Sequence, residues 1–126
     1  MNKKKIEEYI RVSISILDNP KDKHGKYFLR NKKDDKIPKE YKGYINSFGA
    51  TVINSGLLAT IAIYDNKSSG SEADKSQIIR ILEKILNKDD LFNYAKEYKE
   101  NMSIKRDIIN ASIALKLALR TYEFTD

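Results

Sequence analysis

YKGYINSFGATVINSGLLATIAIYD, residues 41–65, holds two apolar runs separated by a single glycine. In the first run Tyr41, Ile45, Phe48 and Val52 recur at helical spacing, so one face of a helix is apolar and buried. Continuing that face lands on Ser55 and Gly56, where small residues permit a chain break or a close helix approach. The second run, Leu57 to Tyr64, is apolar almost throughout and ends at Asp65-Asn66-Lys67. The spacing therefore predicts two helices that share a core and meet at Gly56.

Outward from this pair, nearly every periodic segment also reads as helix. From about Lys3 to Asp18, Ile6, Ile10, Ser13 and Leu17 fall on one side, and Pro20 ends the run. A polar connection of about 18 residues then reaches Pro38, longer than ordinary loops and interrupted only by Tyr27-Phe28-Leu29. Pro38 suits the first turn of the next helix, where its missing N–H is not needed. Ser68-Ser69-Gly70-Ser71 is a loop. Ser71 or Asp74 can cap a fourth helix to about Asn87, burying Ile78, Ile81, Leu82 and Ile85. Asp89 or Asp90 can cap a fifth, with Leu91, Ala95, Tyr98 and Met102 on one face. Ser103 opens the last, whose stripe runs Ile104, Ile108, Ala111, Leu115, Ala118, Tyr122; further apolar residues around it make this helix central. No run alternates cleanly between hairpin turns. The expectation is an all-α fold, a compact bundle of about five to six helices with one long basic loop, as a single domain over residues 1–126.

Charge is unevenly placed. The net +6 lies entirely in residues 1–56, with 13 Lys+Arg against 7 Asp+Glu, while residues 57–126 carry 11 of each. It is densest from Pro20 to Lys42, where Lys21, Lys23, Lys26, Arg30, Lys32, Lys33, Lys36, Lys39 and Lys42 meet only Asp22, Asp34, Asp35 and Glu40. Such an excess attracts a polyanion; a solvated loop has the same composition. Lysine dominates arginine there, which favours diffuse attraction to phosphates over bidentate reading of bases. Tyr27 and Phe28 fit either base stacking or an anchor of the loop to the core. Lys116 and Arg120 share a face of the last helix and either extend the basic surface or solvate the helix end.

The inventory offers no active site. His24 is the only histidine, and with no cysteine there are no disulfides and no thiolate chemistry. No glycine-rich phosphate loop precedes a helix. The adjacent pairs Asp34-Asp35 and Asp89-Asp90 diverge on a helix, so neither presents a two-carboxylate site; the second reads as a cap and the first as partial neutralisation of nearby lysines. No metal site and no cofactor are expected. Glu7 and Glu8 follow Lys3-Lys4-Lys5 and interrupt any leader-like apolar region, and no apolar run approaches a membrane span, so a cytoplasmic setting is expected.

Asn54-Ser55-Gly56-Leu57, then Thr60-Ile61-Ala62-Ile63, then Lys67, resembles the small subunit of Cmr-type (type III-B) CRISPR effector complexes. Ala114-Leu115-Lys116-Leu117-Ala118-Leu119-Arg120 adds a weaker match. The resemblance implies a helical, non-catalytic subunit that stacks beside a backbone filament and contacts guide and target RNA during antiviral defence. Its partners would be other effector subunits, copies of itself and the two RNAs, with no membrane. Ser55, Gly56 and Leu57 would form a structural hinge. Lys67 and Arg120 fall on basic positions of the family pattern, and Lys39 and Lys42 precede the apolar core as basic residues often do there. With the local charge, the RNA-binding candidates are Lys32, Lys33, Lys36, Lys39, Lys42, Lys67, Lys116 and Arg120. The chain departs from the pattern in having Gly49-Ala50 where a proline often stands, and Ser55 where asparagine is frequent. Two alternatives remain open at this point: the small subunit of a type III-A complex, and a helical protein-interaction module that meets no nucleic acid.

Overall fold

The computed structural model describes residues 3–18, 29, 36–65, 74–97 and 102–126. Among these residues are six helices: α1 Lys3–Asp18, α2 Glu40–Ser55, α3 Leu57–Tyr64, α4 Ser76–Leu86, α5 Leu91–Lys96 and α6 Met102–Leu119. The fold is the expected all-α bundle. Most of the long basic loop, residues 19–28 and 30–35, lies outside the described residues, as do His24, Tyr27, Phe28 and the Ser68–Ser71 loop.

α6 is the axis. Ile104, Ile108, Ala111, Ala114, Leu115, Ala118 and Leu119 are all buried, and the helix packs on α1, α2, α4 and α5. Ser112 enters this apolar face because its hydroxyl donates to the Ile109 carbonyl at 2.7 Å, so no buried donor is left unpaired. α1 lies along α6 and buries Ile6, Tyr9, Ser13 and Leu17. Tyr9 takes the inward position expected of Ile10, which is half-buried. The remaining faces join the same cluster: Tyr41, Ile45, Phe48 and Val52 of α2, Leu57 and Ile61 of α3, and Ile78, Ile81, Leu82 and Ile85 of α4.

Gly56 separates α2 from α3 with φ 89 and ψ 162, a region nearly closed to other residues. Its N–H still donates to the Val52 carbonyl at 2.8 Å, and its own carbonyl accepts the Thr60 N–H at 3.1 Å and the Thr60 hydroxyl at 2.7 Å. One residue thus closes the first helix and opens the second. A Cβ at Gly56 would meet nothing within 4 Å, so backbone conformation and not close helix approach is what calls for glycine.

Asp74 and Asp90 are the residues that act at the helix starts. Asp74 Oδ1 accepts the Ser76 N–H at 2.9 Å, and Asp90 Oδ1 accepts the Asn93 N–H at 3.1 Å. α5 is described over six residues, Leu91–Lys96. The Glu97 N–H turns back to the Tyr94 carbonyl, a tight closure at the end of a six-residue helix. Tyr98 lies outside the described residues, and Met102, expected on the α5 face, is instead the exposed first residue of α6.

The end of the chain holds a feature absent from the expectations. Ile37 and Phe124 form an isolated parallel bridge: the Ile37 N–H donates to the Glu123 carbonyl and the Thr125 N–H to the Ile37 carbonyl, both at 2.9 Å. The Lys39 N–H donates to the Thr125 hydroxyl at 2.9 Å. The Tyr122 hydroxyl donates to Asp18 Oδ1 at 2.6 Å. Residues 122–125 therefore tie the end of α1 to the entry of α2.

Candidate nucleic-acid interface

Between α2, α6 and this terminal strap lies a groove of about 210 Å³. α2 contributes Lys42, Ile45 and Asn46, and α6 with its C-terminal turn contributes Lys116, Leu119 and Arg120. Both sets have the same i, i+3, i+4 spacing, so each presents a polar–apolar–polar stripe along one face. Ile45 and Leu119, 4% and 1% exposed, make an apolar floor. Lys42, Asn46 and Arg120 are exposed and Lys116 is half-buried, which sets three cations and one amide around that floor. Tyr122 and Phe124 close the end. Lys116 sits in the last turn of α6, where the negative end of the helix dipole favours a cation.

Among the described residues, no carboxylate pairs with Lys42, Lys116 or Arg120. Charge is handled differently on α4. Arg80 Nη2 meets Asp65 Oδ1 at 2.6 Å, and its Nε stands 3.4 Å from Glu83 Oε1 without hydrogen-bond alignment. Glu83 accepts the Leu91 N–H at 2.8 Å, joining α4 to the start of α5. Burial pushes the Glu83 carboxyl above its ordinary value, and the Leu91 N–H and Arg80 offset this only in part.

The structure thus gathers three of the sequence candidates, Lys42, Lys116 and Arg120, into one groove. Lys39 is exposed on the turn that the strap holds, and Lys36 is half-buried just ahead of the bridge. Lys32, Lys33 and Lys67 lie outside the described residues. Ser55, Gly56 and Leu57 form the α2–α3 break, about 15 Å along α2 from Ile45, and take no part in the groove. Asn46 and Phe124 were not foreseen as site residues. The matching spacing on the two helices was visible in sequence, whereas the bridge that places Phe124 was not.

Among the described residues no three His, Asp or Glu side chains gather as a metal site, and no helix is long and apolar enough to cross a membrane. Comparison with curated proteins and with solved structures gives no match. The family model described as CRISPR-associated protein (Cas_Cmr5) matches residues 26–122, more than three quarters of the chain. That span contains α2 to α6 and every basic residue of the groove, and on this match the chain belongs to the Cmr5 family of small subunits of type III-B CRISPR complexes.

Proposed function

We propose that this chain is a non-catalytic, RNA-gripping small subunit of a type III-B effector, acting in the cytoplasm during antiviral defence. It stacks along the backbone filament and holds the phosphates of guide and target RNA while base pairing supplies sequence recognition. The observation that carries this reading is the convergence of Lys42, Lys116 and Arg120 from two helices into one groove without a neutralising carboxylate among the described residues. Like charges held together repel unless an anion joins them, and a polyanion gains by releasing its counterions. Lys36 and Lys39, close to the strap, are further cationic candidates, and Lys32, Lys33 and Lys67 are candidates from sequence alone.

Stacking draws support from a different set of side chains. Gly43 to Tyr64 contains no charged residue in a chain that is 33% charged, yet Ile53, Leu58 and Ile63 are exposed there. Exposed apolar side chains have no pull on phosphates and suit the apolar surface of a neighbouring subunit.

The test is the salt dependence of RNA binding by the full chain. Replacing Lys42, Lys116 and Arg120 together by Gln should weaken binding to any RNA sequence. The log–log salt slope should fall by about 2 on a single strand, at roughly 0.7 per lost phosphate contact. An unchanged slope would overturn the assignment of phosphate contact to this groove.

A further inference from the structure

A groove built only for phosphates needs cations and has no use for an apolar floor. This one has both. Ile45 and Leu119 line its base, Phe124 and Tyr122 stand at one end, and the cations occupy the rim. The aromatic end is held in place before any ligand arrives. Hydrogen bonds on either side of Phe124, through the Glu123 carbonyl and the Thr125 N–H, fix it against Ile37. The Tyr122 hydroxyl is held by Asp18. Tyr122, on the bend after α6, and Phe124, in the bridge, both line the groove while Glu123 between them is exposed. The volume, about 210 Å³, is below the roughly 300–1,000 Å³ of sites that enclose a drug-sized ligand, so the space suits one planar ring and not a larger body.

We infer that the groove seats a single unstacked base of an RNA strand, with Phe124 as its aromatic wall and the adjoining phosphates on Lys42, Lys116 and Arg120. This rests on the RNA-gripping reading above and adds a base contact to it. Stacking on an aromatic ring is tolerant of sequence, because every base has a π-face. Asn46 contributes an amide donor and acceptor within reach of a base edge at the rim.

The experiment compares two single strands of equal length and charge on the full chain at low salt, a short oligouridylate and its abasic counterpart. The base-bearing strand should bind at least about five-fold more tightly, the lower end of what stacking one base is worth. In Phe124→Leu, which keeps apolar bulk without a π-face, that ratio should fall towards one while the salt slope is retained. Each variant serves as its own reference, so a change in its stability does not mimic the result. Equal binding of the two strands by the native chain, with the slope intact, overturns the base seat and leaves the phosphate reading standing. Absence of binding to either strand overturns both. Competition by polyglutamate as effective as that by RNA of the same charge overturns the base seat as well, since the groove would then be taking an acidic peptide.

Discussion

Arg80 and Arg120 both lie on helical surfaces of the bundle, in opposite surroundings. Arg80 stands between Asp65 and Glu83, and its charge links the end of α3 to α4, whose Glu83 in turn holds the first N–H of α5. Arg120 shares its groove with Lys42 and Lys116 and, among the described residues, meets no carboxylate. A charge with partners inside the fold is already satisfied and contributes to holding elements together. A cluster of like charges links no elements to one another and persists at some electrostatic cost. On the proposed reading, the difference is that between a cation that serves the fold and one left open to an anionic ligand.

The contrast is most directly broken by giving the groove what the other site has. Lys116→Glu places a carboxylate four residues before Arg120, a favourable order for a helical ion pair. RNA affinity at low salt should fall on the order of tenfold, and the salt slope by about 1.4, two contacts' worth, with folding stability little changed because the new ion pair and the lost helix-end cation oppose one another. Fluorescence anisotropy across a salt series, with a melting curve alongside, checks both. Arg80→Ala is the reciprocal change. It strips the partner from Asp65 and from the largely buried Glu83, and should lower unfolding free energy by about 1–2 kcal/mol in a urea titration while RNA affinity stays as it was. A fall in both quantities would mean the two regions are not independent.

Smaller effects sharpen the same line. Asp90→Ala removes the cap of α5 beside the Arg80 cluster and should cost about 1 kcal/mol of stability, again without an effect on binding. Glu83→Gln probes protonation. The Glu83 carboxyl is raised in the folded state, so the folded protein holds that proton more tightly than the unfolded chain does. Its contribution is fully present at pH below the ordinary glutamate value and declines as pH rises through the raised one. The stability of the native chain relative to Glu83→Gln should therefore fall over that interval, and a rise would contradict the burial that causes the shift.

The helices were legible because their faces are local. Phe48 and Val52, or Ile108 and Leu115, repeat within a few residues, and the backbone has one way to bury such a stripe. Gly56 was legible as a break for the same reason, although the cause is its positive φ and not a close approach. The place of Met102 was not legible, because Leu91 and Ala95 continue in register into Tyr98 and Met102, and nothing in that spacing shows that Met102 belongs to the next helix. In the groove, Lys42, Lys116 and Arg120 were each identifiable, yet their meeting was not, since it depends on how α2 crosses α6. The bridge between Ile37 and Phe124 left no trace in any window of sequence. Its partners are far apart along the chain, and two paired residues make no periodic pattern.

That bridge also sets an order of events. The Lys39 N–H waits for a hydroxyl 86 residues further along, and Asp18 for one 104 residues away. Contacts between such distant positions close late in folding, after local helices have formed. During synthesis α1 to α5 are made before α6, the helix on which most of them pack, and before the residues that form the aromatic end of the groove. A nascent or prematurely stopped chain would then lack the finished cleft.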